Sequence, residues 1–175
     1  MIQVLREAFA VGETSVCISE TDNTLIQIFD CYDCIPELQR SYIKSKDEEP
    51  VHFTLNNPAN ANLCFAAVDN CLIDSAGLSR CDFIIGNSKK LYFVEVKQVS
   101  TSKRRAARAD AILQLHATID FLKTRIDLNG TNLIAVICLK AKKAYPLQNA
   151  TRSAEIVAFK EQLNANLMEG QNATF

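Results

Sequence analysis

The sequence predicts an α/β fold in which a mixed central sheet is flanked by helices. Three strand-like segments precede a long helix, and a nearly continuous apolar run follows that helix. In chain order, the strand-like segments are residues 70–73, 80–85 and 91–99, the helix is residues 103–126, and the apolar run is residues 133–139. A long helix between two strands indicates a crossover connection, so the sheet is expected to contain parallel as well as antiparallel neighbours.

Length and composition are those of a small globular protein. The chain has 175 residues, of which 48% are hydrophobic and 22% charged, and its formal net charge is −1. This length suits one compact domain, and the composition differs from that of a disordered segment. No apolar run approaches the roughly 20 residues that a membrane-spanning helix needs. Within this single domain we expect a β-rich, acidic N-terminal capping extension, residues 1–56, and an α/β core, residues 57–175.

The elements of the N-terminal extension are predicted from local alternation and turn signals. Residues 15–28 alternate apolar and polar positions around a polar turn, which is typical of a hairpin. Pro36 fits the first turn of a short helix over residues 36–43. An acidic loop follows, and residues 51–55 are predicted to form a short strand.

Helix-start signals and periodicity predict the elements of the core. Asn57 can cap a helix and Pro58 can occupy its first position, so a helix is expected over residues 57–68. The segment at residues 91–99 is rich in β-formers, and residues 103–126 carry apolar side chains at helical spacing. A last helix is predicted over residues 151–167, followed by a polar, frayed tail from Glu169.

The seven cysteines are an odd number, which argues against a closed disulfide framework. We therefore expect a reduced, cytoplasmic protein whose cysteines pack as small core residues. Cys31 and Cys34 have the CxxC spacing of zinc and redox sites. However, a structural zinc site would need a second such pair or well-spaced histidines, and the chain has only His52 and His116.

Three ionisable side chains in apolar strands form the candidate site. Because side chains alternate along a strand, Glu95 and Lys97 lie on one face, and Asp82 can converge on them if its strand pairs with theirs. A buried carboxylate or ammonium is costly unless it is paired or bound to a metal. Two carboxylates with water ligands suit Mg²⁺, and Lys97 could hold an attacking water beside it. The alternative is a cross-strand salt bridge without chemistry.

These residues resemble the motif of the PD-(D/E)xK nuclease superfamily, which has the restriction-endonuclease-like αβββαβ core. Asp82 corresponds to the aspartate on the second strand, and Glu95-Val96-Lys97 corresponds to the (D/E)xK tripeptide on the third. Gln114 and Leu115 match the start of a Gln-Leu-x-x-Tyr motif that some members carry on the next helix. The resemblance covers about half of the chain, residues 57–139.

The chain departs from the family pattern at three places. Thr118 stands where the helix motif usually has tyrosine, and Cys81 stands where the family has proline before the aspartate. Some members have a glutamate metal ligand on the first helix. No acidic residue occurs in residues 57–68, so only Asp69 could take that role.

The resemblance implies a metal-dependent nuclease that hydrolyses phosphodiester bonds, with DNA as the expected substrate. Asp82 and Glu95 would hold Mg²⁺ or Mn²⁺, Lys97 would assist the water, and Gln114 would form hydrogen bonds in the site. One alternative is a catalytically inactive, nuclease-like protein that binds nucleic acid or has a regulatory role. Another is a protein-interaction module.

Charge is distributed unevenly along the chain. Residues 1–60 carry 4 basic and 10 acidic side chains, whereas residues 86–125 carry 9 basic and 3 acidic ones. The densest basic run is predicted to contact the nucleic-acid backbone, the alternative being a solvated helix face. That run consists of Lys103, Arg104, Arg105 and Arg108. The acidic N-terminal region is a candidate surface for a homodimer or a protein partner.

Overall fold

In the part of the chain that it describes, the computed structural model has three α-helices and eleven strands in two mixed sheets, which confirms the α/β class. The structure describes residues 1–31, 33–35, 39–47, 49–73, 79–98, 101–139, 147–149 and 153–175. The helices are α1 (Ile2–Phe9), α2 (Arg104–Lys123) and α3 (Ser153–Leu163). The strands are β1 (Ile18–Thr21), β2 (Leu25–Asp30), β3 (Ser41–Ile43), β4 (Phe53–Asn56), β5 (Leu63–Ala67), β6 (Phe83–Gly86), β7 (Lys90–Lys97), β8 (Asn132–Leu139), β9 (Gln148–Asn149), β10 (Ala165–Glu169) and β11 (Asn172–Thr174).

The larger sheet has the strand order β1-β5-β6-β7-β8-β10-β9. The strands β5, β6 and β7 are antiparallel neighbours, whereas β7 and β8 are parallel. A parallel pair needs a long crossover connection, and α2 supplies it. The predicted strands around residues 91–99 and 133–139 and the predicted long helix between them are therefore confirmed.

The smaller sheet has the order β11-β4-β2-β3 and packs on the larger one. Alternate side chains of β7 show the layering. Leu91 and Phe93 pack with the helices, whereas Tyr92 and Val94 pack between the sheets. The larger sheet is thus covered by helices on one face and by the smaller sheet on the other. None of the helices among the described residues is long and apolar enough to cross a lipid bilayer.

Two predictions at the start of the chain are wrong. The predicted hairpin does not form, because β1 pairs with β5 in the larger sheet and β2 pairs with β3 and β4 in the smaller one. A helix was predicted over residues 36–43, but the last three of these residues form the strand β3. Residues 36–38 lie outside the described residues. The structure also contains α1, for which no helix was predicted.

The helix predicted over residues 57–68 is also wrong, because β5 occupies its second half. The side-chain oxygen of Asn57 accepts a hydrogen bond from the Ala61 N–H at 3.0 Å, and its amide donates to the Ala61 carbonyl at 2.9 Å. Asn57 therefore closes a loop instead of capping a helix. All five residues of β5 are buried, and a short, fully buried apolar run fits either a helix or a strand by pattern.

Three further predictions differ from the structure. Residues 70–73 form no strand; Asp69 and Ile73 make only an isolated bridge. The helix predicted over residues 151–167 ends at Leu163, because Asn164 takes a left-handed conformation with φ 48° and the chain turns into β10. The predicted frayed tail is ordered, since β11 pairs with β4.

Candidate active site

The four predicted catalytic residues, Asp82, Glu95, Lys97 and Gln114, line one cavity of about 240 Å³. Asp82 directly precedes β6, Glu95 and Lys97 lie at the end of β7, and Gln114 lies on α2. The β6–β7 pairing, in which Phe83 faces Val94, brings Asp82 next to Glu95. The expectation that Asp82, Glu95 and Lys97 lie in one concave site is confirmed; the catalytic roles of the four residues stay predictions.

Asp82 is fixed from both sides by backbone hydrogen bonds. Its Oδ2 accepts the Val96 N–H at 2.5 Å, and its carbonyl oxygen accepts the Val68 N–H at 2.8 Å. Asp82 is buried, so the carboxylate has little freedom to turn away from the cavity. This arrangement ties the site to the ends of β5 and β7 at once.

Glu95 and Lys97 form a tight ion pair that Gln114 extends. The Lys97 Nζ is 2.7 Å from Glu95 Oε1 and donates to Gln114 Oε1 at 2.6 Å. The Gln114 amide in turn donates to the Arg80 carbonyl at 3.0 Å. Because both ends of Gln114 are engaged, it holds the ammonium of Lys97 in one place.

The second carboxylate oxygen of Glu95 is the exception in this network. Glu95 is only 1% exposed, yet its Oε2 has no hydrogen-bond partner among the described residues. A buried carboxylate oxygen without a partner loses its hydration without compensation. Such an oxygen at the wall of a polar cavity is suited to a cation or an ordered water.

Thr118 positions the segment before Asp82. Its buried hydroxyl accepts the Cys81 N–H at 2.7 Å and donates to the Gln114 carbonyl at 2.8 Å. The hydroxyl thus connects α2 to the residue next to Asp82. This role of Thr118 was not predicted, and the only signal for it in the sequence is the position of Thr118 four residues after Gln114.

Two further carboxylates that the prediction did not place in the site also line the cavity. Asp69, which was considered only as a replacement for a first-helix acid, follows β5, and its Oδ1 is 2.6 Å from Arg80 Nε. Asp30 comes from the smaller sheet, at the end of β2. No sequence pattern pointed to Asp30, because its approach depends on how the two sheets pack.

Burial and mutual repulsion raise the pKa values of these carboxyl groups. Burial, reinforced by the charge of Glu95, raises the pKa of Asp82 well above its usual value. Burial raises the pKa of Glu95 to about 8, although Lys97 opposes the change. Burial lowers the pKa of Lys97, but the attraction and hydrogen bond of Glu95, together with the charges of Asp82 and Asp110, outweigh it and the net shift is upward. The carboxylates therefore favour any bound positive charge.

These shifts predict that the metal-free protein loses stability as the pH rises from about 5 to about 9. The folded state keeps the Glu95 proton up to about pH 8, whereas the unfolded chain releases it near its ordinary pKa of 4.5. The folded state then holds more protons, so raising the pH favours unfolding. Urea unfolding in EDTA across this interval measures the effect, and stability that is constant or increases with pH would contradict it.

The predicted nucleic-acid contacts do not line this cavity. Arg104, Arg105 and Arg108 line a separate cavity of about 470 Å³ beside Glu155 and Glu169. The Arg108 guanidinium is bound by Glu155 and, at 3.3 Å, by Glu169. Lys103 and Arg105 are exposed.

The prediction that the cysteines are reduced and pack in the core is wrong for four of the seven, which form two disulfide bonds. Cys17 is bonded to Cys71, and Cys31 is bonded to Cys34. The remaining three, Cys64, Cys81 and Cys138, are buried and free, as predicted. Burial raises the pKa of Cys64 to about 12, so this thiol stays protonated. The cytoplasmic location stays a prediction.

Among the described residues, no group of three or more histidine, cysteine, aspartate or glutamate side chains is arranged as a ready-made set of metal ligands. Neither a family model, nor a curated protein, nor a solved structure matches the chain.

Proposed function

We propose that this protein is a metal-dependent nuclease that hydrolyses phosphodiester bonds, with DNA as the expected substrate. The observation that carries the proposal is the unpartnered Oε2 of Glu95 in a cavity shared with Asp82 and Lys97. A simple salt bridge between Lys97 and Glu95 would explain Oε1 alone. It leaves unexplained why a second buried carboxylate stands beside the pair.

The strand topology supports the resemblance to the restriction-endonuclease-like core. The chain runs through β5, β6 and β7, crosses over through α2 and returns as β8 parallel to β7. This order is the strand–strand–strand–helix–strand part of the family core. The first helix of that core would be α1, which packs on the same side of the larger sheet as α2.

The donor set fits a hard cation. Asp82 and the free Oε2 of Glu95 would hold Mg²⁺ or Mn²⁺, which prefer carboxylate oxygens and keep several waters. Such an ion would stabilise charge on the phosphate and favour deprotonation of a bound water. Lys97, held by Glu95 and Gln114, would donate a hydrogen bond to the attacking water or to a phosphate oxygen.

A nuclease assay with a site variant tests the proposal. Wild type should cleave plasmid, linear duplex, single-stranded DNA or RNA with Mg²⁺ or Mn²⁺ and not with EDTA. Asp82→Asn removes a ligand charge with little change in shape, and should abolish both cleavage and cation binding by calorimetry. Asp120→Asn, on the exposed face of α2, is the matched control. Failure of wild type to cleave any substrate or to bind either ion would remove the nuclease proposal.

The second candidate is a nuclease-like protein that binds nucleic acid without cutting it. It is favoured by the engagement of Asp82 with the Val96 N–H and of Lys97 with two partners, because both residues then have structural roles. Sequence-independent binding without cleavage in any divalent cation would support it.

Both candidates predict that the start of α2 contributes to nucleic-acid binding. Replacing Arg104 and Arg105 together with alanine should weaken binding about equally across sequences. Each lost phosphate contact should flatten the dependence of log K on log[salt] by up to roughly one. The measurement is fluorescence anisotropy over a salt series. The control is a double alanine variant at the exposed residues Lys46 and Lys89, which loses the same charge. An unchanged salt slope for the arginine variant would show that these arginines form only a solvated face.

A further inference from the structure

The smaller sheet contributes a carboxylate to the candidate active site. Asp30 is the last residue of β2, and it lines the same cavity as Asp82 and Glu95. The Ser41 hydroxyl donates to Asp30 Oδ1 at 3.1 Å, and the Asp30 N–H donates to His52 Nδ1 at 3.0 Å. Ser41, on β3, thus holds the carboxylate of Asp30, and His52, just before β4, holds its backbone.

The charges in the cavity are unbalanced. Asp69 is neutralised by Arg80, and Oε1 of Glu95 is neutralised by Lys97. Among the described residues, no salt bridge reaches Asp30 or Asp82, and Oε2 of Glu95 has no partner. The negative charge of Asp30 also contributes to the raised pKa values of Asp82 and Glu95, as expected for carboxylates that line one cavity.

We propose that Asp30 is a third carboxylate of the cation site, binding the ion through one of its coordinated waters, so that the site spans both sheets. The proposal rests on the proposed function, because it takes the cation to lie at Asp82 and Glu95. Besides the cluster of carboxylates, the buried Oε2 of Glu95, which has no partner among the described residues, supports a cation in this cavity.

Binding through water follows from the geometry and from the chemistry of the ion. The described carboxylates make no ready set of three direct ligands, and Mg²⁺ usually keeps several of its waters. A cavity of about 240 Å³ has room for a cation with several waters, since each water occupies about 30 Å³ in the liquid. Asp30 is then a positioning residue for a water of the ion.

The test is calorimetric titration of Mn²⁺ and Mg²⁺ into the protein at fixed pH, without nucleic acid. Asp30→Asn should weaken cation binding about 10-fold or more, which is typical when a group that orients a metal ligand is lost. Asp47→Asn, an exposed residue of the same N-terminal region, is the control for the change in net charge. Ser41→Ala keeps the carboxylate but frees its orientation, and should give a smaller loss. It also serves as the second variant if Asp30→Asn does not fold.

The outcomes separate this proposal from the proposed function. If wild type binds the ion and both the Asp30 and Ser41 variants bind it equally well, the role of Asp30 is overturned while the nuclease proposal stands. An equal loss in Asp47→Asn would also overturn it, since the effect would then be one of net charge. If wild type binds neither ion, the proposed function fails, and this proposal fails with it.

Discussion

Replacing Lys97 by alanine is expected to lower the hydrolysis rate on the order of 10²-fold or more while a divalent cation still binds. Lys97 does not bind the metal ion in the proposed site, so its replacement leaves the carboxylates of Asp82 and Glu95 available to the ion. What it removes is an ammonium that Glu95 and Gln114 hold at 2.7 Å and 2.6 Å. Loss of a preorganised donor at the reacting phosphate typically costs two to three orders of magnitude in rate.

The measurements are the cleavage rate and the melting temperature of Lys97→Ala with and without Mg²⁺. Without the ion, Oε1 of Glu95 loses its partner and neither oxygen of the buried carboxylate is then compensated. The variant should therefore melt below wild type, and Mg²⁺ should restore part of the difference. Lys89→Ala, at an exposed lysine in the turn between β6 and β7, is the control for net charge. A modest loss of stability that Mg²⁺ does not change, with no loss of cleavage, would indicate a salt bridge without catalytic function.

Removal of the Cys17–Cys71 bond is expected to lower the free energy of unfolding by about 4 kcal/mol. The bond joins residues 54 positions apart, and the chain-entropy model gives this value for a closed loop of that length. It connects the residue before β1 to the segment after Asp69, so it also braces the edge of the larger sheet beside the cavity.

The measurement is urea unfolding of oxidised wild type and of the variant with Cys17→Ser and Cys71→Ser. The pair Cys31 and Cys34 is an internal control, because its separation of 3 residues gives an expected loss of only about 2 kcal/mol in the same model. Identical urea midpoints for the oxidised protein and the Cys17/Cys71 variant would contradict the prediction.

The elements predicted correctly are those whose pattern is long and unambiguous. The strand β7 and the helix α2 each extend over eight or more residues of consistent periodicity, and β8 is a nearly continuous apolar run. The convergence of Asp82 on Glu95 and Lys97 followed from strand alternation and one hairpin, both of which are local properties.

The failures have a common physical origin in long-range pairing. The pattern of residues 15–28 was compatible with a hairpin, but β1 and β2 pair instead with the more distant strands β5 and β4. The five apolar residues of β5 fit a helix equally well until a neighbouring sheet is present. Asp30 could not be predicted for the same reason, since only the packing of the smaller sheet on the larger one brings it to the cavity.

The acidic cavity is formed by chain segments that are far apart in the sequence, which is expected to delay its formation during folding. Asp30 and Gln114 are 84 positions apart in the chain, and they lie on different layers of the fold. Closing long loops costs chain entropy before the distant contacts repay it, and topologies rich in such contacts fold slowly. The β7–α2–β8 unit is local enough to form early, whereas the acidic cavity is complete only when the two sheets dock. Binding competence is therefore expected to appear in the last phase of refolding, after most of the helical signal has been regained.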